Sequence, residues 1–381
     1  MKKALQVASV ASMIDQFNME NIKILQDLGY TVDVAANFDF GNTSSKNRVN
    51  EFKEELKKKN IKYYNLLFDR NIFNFINLKV YRQLKKIINE NNYDIIHCHS
   101  PIGGVITRLA ARKARKKGAK VIYTAHGFHF FRGASIINWL VYFPIEWINS
   151  FLTDILITIN KEDYNLAKKI MKANKIYYVP GIGIDTNSKD VGESKYRKRC
   201  ELKIPQNSIV LFSVGELNKN KNHEVIIRAM ADIKDPNIYY CIAGKGKLQE
   251  YLLKLAKELK IENNFKLLGF RNDIKELLKM SDIYVFPSHR EGLSVALMEA
   301  MSEGLPVICS YIRGNTDLID DGKGGYLVKN NNLDIFKNSI VKLSFNNELR
   351  NYMGIYNKDK IKKFDIENVK ERMREIYLKE E

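Results

Sequence analysis

Two glutamates in the second half of the chain lie on either side of a short turn, in an arrangement suited to a sugar nucleotide. An apolar strand pattern at 283–286 is followed by a loop with Glu291 and Gly292 and then by an apolar helix that contains Glu299. A helix start attracts phosphate, and carboxylates beside it can accept hydrogen bonds from ribose at Glu299 and from a sugar at Glu291. The backbone N–H groups at this helix start belong to Leu293, Ser294 and Val295. A capped helix with two incidental acidic residues is the alternative interpretation.

A second loop, after the strand pattern at 209–214, places a lysine where it can meet phosphate. Gly215 permits close approach of the backbone, and Lys221 follows it just before a helical pattern. A lysine in such a loop is also common on protein surfaces, and that alternative stays open. Gly244, in the turn Gly244-Lys245-Gly246, is another possible contact, although so short a glycine pattern is a weak signal by itself.

The elements that must position these loops predict an α/β fold, because short apolar runs alternate with helical patterns along most of the chain. In the first half the strand patterns are 5–10, 32–36, 93–98, 120–124, 154–159 and 175–179. In the second half they are 209–214, 238–243, 265–268, 283–286, 307–310 and 326–328. Such a fold binds ligands at the carboxyl ends of its strands, which is where both loops lie.

The length of 381 residues favours two domains. The alternation of strands and helices pauses in a polar, charged stretch that precedes Pro205 and then restarts. We therefore predict a Rossmann-like domain at 1–185, a linker at 186–206 and a second Rossmann-like domain at 207–345. The charged helical tail at 346–381 is expected to return to the first domain.

Together these segments resemble the GT-B glycosyltransferases of family 4 over nearly the whole chain. In the second half the resemblance rests on the spacing of Glu291 and Glu299, the loop from Gly215 to Lys221, the stretch 267–273 and the turn Gly324-Gly325-Tyr326. In the first half, residues 124–130 and 136–139 resemble the bacterial capsule and exopolysaccharide branch of that family. The resemblance implies two Rossmann-like domains facing across a cleft, and an anomer-retaining, metal-independent transfer of a sugar.

The resemblance also implies roles for individual residues. Lys221 would neutralise the departing phosphates, Glu299 would hold the ribose and Glu291 would bind the transferred sugar. His126, from the first domain, would face that sugar. The other residues implied to bind the nucleotide sugar are Gly215, Glu216, Gly244, Leu268, Phe270, Arg271, Gly292, Leu293 and Ser294, with 268–271 lining the base pocket. The implied donor is a UDP-linked hexose or N-acetylhexosamine, and the implied acceptor is a glycan or a polyprenyl-diphosphate-linked glycan.

The chain departs from the family pattern at two places. The family usually has an arginine where this chain has Glu216, so one cation at the diphosphate is missing. Arg271 and Arg313 are the candidates to replace it. The loop after the first strand usually carries glycines, whereas residues 11–18 contain none, which argues against close backbone contact with phosphate there.

No metal cofactor is expected. The sequence contains no D-x-D pair of carboxylates to hold Mg²⁺ or Mn²⁺ against the diphosphate. His97 and His99 would point to the same face of a strand and are able to ligate a metal, but no further histidine or cysteine lies near them in sequence. Leaving-group charge must then be met by Lys221, the helix start and backbone donors.

The formal net charge of +18 requires an anionic partner or a solvated surface. Residues 111–120 hold six basic residues and no acidic one, which predicts either a solvated helix end or a face held against anionic lipid. The apolar segment 134–148 contains Trp139 and Trp147 and suits an element lying in the plane of a membrane interface. An ordinary buried helix is the alternative for that segment.

The sequence pattern places the protein in the cytoplasm, peripheral to the inner face of the cell membrane, since it shows no spanning segment, no signal peptide and four scattered cysteines. Two other functions remain open. A GT-B-fold sugar-nucleotide epimerase would use the same site without a sugar acceptor. A nucleic-acid-binding protein would account for the charge, but no module of that kind is recognisable, so no nucleic-acid partner is expected.

Overall fold

The chain forms two parallel β-sheets with helices packed on them, and both of the predicted loops belong to the second sheet. The computed structural model describes residues 2–69, 71, 74–186 and 195–379. Within those ranges the chain forms 13 strands and 17 α-helices.

The first sheet is built from the first half of the chain. Its strands are β1 (Lys3–Val7), β2 (Thr31–Ala36), β3 (Lys62–Asn65), β4 (Ile95–His99), β5 (Lys120–Ala125), β6 (Ile155–Thr158) and β7 (Lys175–Tyr178). They are all parallel, in the order β3-β2-β1-β4-β5-β6-β7. Sequence analysis predicts six of these strands and misses β3, which lies at the edge of the sheet.

The second sheet is also parallel. Its strands are β8 (Ile209–Val214), β9 (Ile238–Ala243), β10 (Phe265–Gly269), β11 (Ile283–Phe286), β12 (Val307–Ser310) and β13 (Gly325–Val328). The order is β10-β9-β8-β11-β12-β13, and all six strands were predicted from the sequence. Central strands are buried on both faces, as expected when helices cover a parallel sheet.

The helices connect successive strands. Those that accompany the first sheet are α1 (Ala11–Phe17), α2 (Met19–Asp27), α3 (Lys46–Lys58), α4 (Ile76–Asn91), α5 (Pro101–Ala110), α6 (Arg112–Lys116), α7 (Ile136–Ser150) and α8 (Lys161–Ile170). Those of the second are α9 (Lys195–Glu201), α10 (His223–Ile233), α11 (Gln249–Glu258), α12 (Ile274–Met280), α13 (Val295–Ser302), α14 (Asn315–Leu318), α15 (Leu333–Ser344) and α16 (Asn347–Ile361). Short 3₁₀ helices occupy Lys329–Asn331 and Lys362–Phe364, and α17 (Ile366–Leu378) ends the described chain.

The chain divides into two compact units, one of Met1–Ile182 with Glu367–Glu381 and one of Gly183–Ile366. The predicted tail 346–381 is therefore shared between them. Helix α16 belongs to the second unit, because the side-chain amide of Asn357 donates to the carbonyls of Leu305 and Gly324. Helix α17 belongs to the first unit, where its apolar residues complete a core. These residues are Val369, Met373, Ile376 and Tyr377.

The predicted linker 186–206 is also divided. Residues 187–194 lie outside the described part of the chain. Helix α9 belongs to the second unit, because the guanidinium of Arg199 is only 1% exposed and forms an ion pair with Asp282 at 2.6 Å. The same guanidinium donates to the main-chain carbonyls of Met280, Gln206 and Ser208.

The polypeptide passes between the units twice, at 182–183 and at 366–367. The residues of the second unit next to these two passages are hydrogen-bonded to each other. Ile184 N–H donates to Phe364 O at 3.1 Å, and Ile366 N–H donates to Ile184 O at 2.9 Å. Gly183 lies here with φ +73°, and a Cβ at this position would be 2.6 Å from the Cα of Ile366. A glycine is therefore required both by the backbone conformation and by the space available.

Candidate active site

The two loops predicted to bind the donor meet where the strand order of the second sheet reverses, between β8 and β11. The first strand of this unit, β8, pairs with β9 on one side and with β11 on the other. The strands β9 and β10 lie on the β8 side of that pair, and β12 and β13 lie on the β11 side. The carboxyl ends of two such strands are the usual ligand-binding position in an open parallel sheet. The loops at 215–222 and 287–294 follow β8 and β11 respectively.

Three contacts fix these loops against each other. His289 N–H donates to Asn220 O at 2.8 Å, and the side-chain amide of Asn220 donates to Arg290 O at 3.0 Å. Lys221 Nζ lies 2.8 Å from Glu291 Oε1 in an ion pair whose side chains are 18% and 15% exposed. The two residues predicted to be catalytic in this unit are therefore in direct contact, although they are far apart in the sequence.

The ring of Phe286 lies beneath the lysine. Lys221 Nζ is 4.6 Å from the centroid of that ring, a distance at which the ring face attracts a cation. A Cβ on Gly215 would lie 3.0 Å from Lys221 Cε, so the glycine leaves room for the aliphatic part of the lysine side chain. Glycine at 215 thus sets the path of Lys221.

Gly244 is explained by backbone packing. A Cβ at this position would be 1.8 Å from Gly215 O, so the turns after β8 and β9 touch through their main chains. The N–H of Gly244 also donates to Gly269 O at 2.7 Å, which joins the turn after β10. The structure brings Gly244 next to Gly215, and packing alone is a sufficient reason for the glycine.

Glu299 lies on α13 with a half-buried side chain, and its carboxylate makes no hydrogen bond or ion pair within the described residues. Burial raises the pKa of this carboxyl group above its usual value. A half-buried carboxylate with a raised pKa and no protein partner is a candidate for ligand binding. Glu299 is therefore suited to accept hydrogen bonds from a ligand.

The start of α13 has the predicted form. Ser294 is the N-cap, and its Oγ accepts from Leu297 N–H at 3.4 Å. Leu293 is buried, and no backbone hydrogen bond from the N–H of Leu293 or Ser294 occurs within the described chain. These N–H groups and the positive end of the helix leave a position for an anion.

The structure distinguishes the two arginines proposed to replace the cation missing at Glu216, whose side chain is exposed. Arg271 is engaged elsewhere, since its guanidinium forms ion pairs with Asp273 at 2.5 Å and with Glu201 at 3.0 Å. Hydrogen bonds from Arg271 hold the pKa of Asp273 well below its usual value. Arg313 is 6% exposed, and its Nε donates to the main-chain carbonyl of Glu291 at 3.2 Å. Arg313 is therefore the better-placed cation.

Gly314, which follows Arg313 in the same loop, packs closely against Gly292 of the neighbouring loop. Gly314 has φ +78°, and a Cβ there would be 1.9 Å from Gly292 O. The loops after β11 and β12 thus touch at Gly292. The segment predicted to line the base pocket lies farther along the sheet, at the end of β10, where Leu268 is half-buried and the ring of Phe270 is 72% exposed.

In the first unit, His126 follows β5 and is bonded to a second histidine. His126 Nε2 lies 3.3 Å from His99 Nδ1, and burial lowers the pKa of His126 to about 4. His97 has both ring nitrogens occupied, by Tyr377 Oη and Thr124 Oγ1, each at 2.8 Å. Among the described residues, no group of three His, Cys, Asp or Glu side chains is placed to hold a metal ion.

Sequence reasoning missed Phe286, Asn220 and the contact between His99 and His126. The signal for Asn220 was its place inside the Lys221 loop. The contact of His99 with His126 follows from the pairing of β4 and β5, in which His99 is opposite Thr124. That pairing cannot be read from either strand alone.

Two family models match the chain, one in each half. The model described as Glycosyl transferases group 1 matches residues 194–360, and the model described as Glycosyl transferase 4-like matches residues 6–160. Together with the relatives described next, these matches place the chain in the group 1 glycosyltransferase family, with a GT-B fold of two Rossmann-like units.

Two relatives and one solved structure show the extent of the similarity. The Bacillus subtilis protein named glycosyltransferase EpsD is 35% identical over 384 residues, covering 99% of this chain and 96% of that protein. A UDP-Gal:alpha-D-GlcNAc-diphosphoundecaprenol alpha-1,3-galactosyltransferase from Escherichia coli is 31% identical over 318 residues, 81% of each chain. The Anabaena protein HepE, solved in complex with UDP and glucose, is similar in fold with a TM-score of 0.78 and 19% identity over 100% of both chains. The chain is therefore a glycosyltransferase.

Proposed function

We propose that the chain is a retaining, metal-independent transferase that moves a hexose or N-acetylhexosamine from a UDP-sugar. The proposed acceptor is a glycan or a polyprenyl-diphosphate-linked glycan of a surface polysaccharide. The observation that carries the proposal is the half-buried, unpartnered carboxylate of Glu299 on the helix that follows the Lys221–Glu291 ion pair. The Escherichia coli relative, named for a UDP-linked donor and a diphosphoundecaprenol-linked acceptor, supports the choice of substrates.

In this reaction the bond between the anomeric carbon and the diphosphate breaks, and its electron pair stays on the diphosphate. A hydroxyl group of the acceptor bonds to the same face of that carbon and passes its proton to an oxygen of the departing diphosphate. Glu299 accepts hydrogen bonds from ribose, and Glu291 accepts them from hydroxyls of the sugar. Lys221 meets the charge that grows on the diphosphate, with Arg313 as the second cation. His126 is assigned as a further catalytic residue.

Transfer is expected to proceed in excess EDTA, because Lys221, Arg313 and the start of α13 supply fixed positive charge where other transferases hold a metal. The measurement is the release of UDP from UDP-sugars, with and without a lipid-diphosphate-linked glycan, in EDTA and after addition of Mn²⁺. A reaction that stops in EDTA and recovers with Mn²⁺ would contradict metal independence.

The same assay separates the alternative functions. A sugar-nucleotide epimerase converts the donor whether or not acceptor is present and transfers nothing to it. A nucleic-acid-binding protein shows neither reaction and binds oligonucleotides with an affinity that falls as salt rises. Transfer that depends on acceptor supports the proposal over both.

The outer face of α7 is apolar and exposed, which supports contact with a membrane. Ile136, Ile137 and Leu140 are 77%, 70% and 71% exposed. Spacing of three and four residues continues this face to Ile148, at 56%. Trp139, predicted to reach the membrane, instead packs on Phe130 and donates to a main-chain carbonyl. No described helix is both long and apolar enough to cross a bilayer.

Basic residues lie next to one end of this face. Arg115 of α6 is bound to Asp154 and donates to Phe151 O, so it connects α6 to the end of α7. The exposed basic side chains of this helix and the turn after it are Arg112, Lys113, Lys116 and Lys117. Basic residues near anionic lipid contribute about 1 kcal/mol each. We therefore propose that the protein works at the inner, cytoplasmic surface of the membrane, with α7 in the plane of the interface.

Leu140→Glu is expected to lower binding to anionic liposomes at least about tenfold, because it places a charge at the centre of the apolar face. The measurement is co-sedimentation at increasing salt, with UDP binding measured in parallel and expected to stay unchanged. Ile355→Glu is the matched control, since Ile355 on α16 is also 71% exposed. An equal loss of liposome binding in both variants would refute the proposed membrane contact of α7. Absence of binding by the unmodified protein at low salt would also refute it.

A further inference from the structure

A chain of hydrogen bonds in the first unit ends at His126. The chain involves three strands that are adjacent in the sheet, with Gln6 on β1, His99 on β4 and His126 directly after β5. Gln6 Oε1 is 3.0 Å from His99 Nε2, and His99 Nδ1 is 3.3 Å from His126 Nε2. Gln6 and His99 are both buried, whereas His126 is partly exposed.

The direction of each bond follows from the chemistry of the groups. The amide oxygen of Gln6 can only accept, so His99 Nε2 carries the proton. A neutral imidazole has one N–H, so His99 Nδ1 is a lone pair and His126 Nε2 donates to it. His126 is then left with a lone pair on Nδ1. Burial keeps both rings neutral at pH 7, because it lowers the pKa of His126 to about 4 and that of His99 well below its usual value.

The amide nitrogen of Gln6 faces Tyr377, while its oxygen faces His99. Gln6 Nε2 donates to Tyr377 Oη at 3.4 Å. That hydroxyl lies 2.8 Å from His97 Nδ1, and His97 Nε2 lies 2.8 Å from Thr124 Oγ1. A consistent order results, in which Gln6 donates to Tyr377, Tyr377 to His97 and His97 to Thr124. The last helix, α17, therefore contributes to fixing Gln6.

We propose that Gln6 and His99 are positioning residues that hold His126 as the tautomer with a bare Nδ1, which accepts a hydrogen bond from a hydroxyl group of the sugar substrate. This inference rests on the assignment of His126 as a catalytic residue under the proposed function. It identifies the group that His126 recognises as a donor, a sugar hydroxyl, rather than an acceptor such as a phosphate or carbonyl oxygen.

The first test is the tautomer of His126 in the full chain, which does not depend on activity. The protein has six histidines, so selective ¹⁵N labelling gives a small set of signals, assigned with His126→Asn and His99→Leu. We expect His126 at pH 7 to show a protonated Nε2 and a bare Nδ1. The opposite tautomer, or a charged ring, would overturn the proposal even if the enzyme transfers sugar as proposed.

The second test is a double-mutant cycle on kcat. His99→Leu is expected to lower kcat roughly tenfold in the unmodified protein and to have no further effect in a His126→Ala background, because coupled residues are not additive. Thr153→Val is the control, as it removes a buried hydroxyl of the same unit that donates to Asn149 O outside the network, and it should change kcat less than threefold. Thermal unfolding and the affinity for UDP, measured on all variants, are expected to change little.

An equal loss from His99→Leu with and without His126 would show that His99 acts only on the fold and would refute the positioning role. The two proposals fail in different ways. If the unmodified enzyme transfers no sugar, the proposed function fails, and the tautomer measurement still decides the arrangement of Gln6, His99 and His126.

Discussion

Lys221→Ala is expected to lower the kcat of transfer by about 100-fold to 1,000-fold, the range found when a preorganised group that meets developing charge is removed. The physical reason is that the diphosphate gains charge only as the bond to the sugar breaks, so most of the loss falls on kcat. The measurement is steady-state kinetics with saturating acceptor, together with the dissociation constant of UDP.

Lys219→Ala is the matched control, because it removes the same charge from the same loop at an exposed position. Lys221 is paired with Glu291, so the alanine variant also leaves that carboxylate unpaired. Lys221→Ala with Glu291→Gln removes both charges and shows whether the loss belongs to the lysine. If Lys221→Ala leaves kcat unchanged and raises KM, Lys221 contributes to binding of the donor but not to stabilising the transition state.

Glu299→Gln is expected to raise the KM for the donor by about 10-fold to 100-fold with a smaller change in kcat. A hydrogen bond to a charged group contributes roughly 1.5–3 kcal/mol, and each 1.4 kcal/mol is about tenfold in affinity. The raised pKa of Glu299 adds a pH dependence. As pH falls, the carboxylate gains a proton and accepts hydrogen bonds less well, so donor KM rises in the unmodified enzyme but not in the variant.

The control for Glu299 is Glu303→Gln, which changes the acid that follows the end of the same helix. Deoxyribose forms of the donor give a second comparison. If Glu299 binds ribose, a donor lacking the relevant hydroxyl should be bound equally by the variant and the unmodified enzyme. Equal penalties for the normal and the deoxyribose donors would place Glu299 elsewhere in the site.

Local patterns were sufficient to predict most of the fold. Strands of a parallel sheet are rich in apolar residues, and twelve of the thirteen strands described here were predicted from such short runs. The missed strand, β3, has the sequence Lys62-Tyr63-Tyr64-Asn65 with exposed ends, because an edge strand has only one strand neighbour. The sharing of the tail between two units depends on contacts such as those of Asn357, which no local pattern encodes.

The site was predictable where its residues are close in sequence. Glu291, Ser294 and Glu299 belong to one strand-loop-helix segment, so their spacing carries the information. The family resemblance implied that Arg271, in the segment 268–271, binds the nucleotide. Its partner Glu201 comes from a distant helix and leaves the guanidinium already neutralised. Arg313 instead donates to the main chain of Glu291, and no local pattern shows which of the two arginines lies beside that loop.

The two passages between the units determine the order in which the newly made chain can fold. The second unit is complete once Ile366 has been synthesised, but the first unit must wait for Glu367–Glu381. Until α17 emerges from the ribosome, the sheet that begins at residue 3 lacks Tyr377, and the pocket around His97 and Gln6 stays open. Because domains generally fold as they are made, the unit synthesised first is expected to be the last to become protease-resistant.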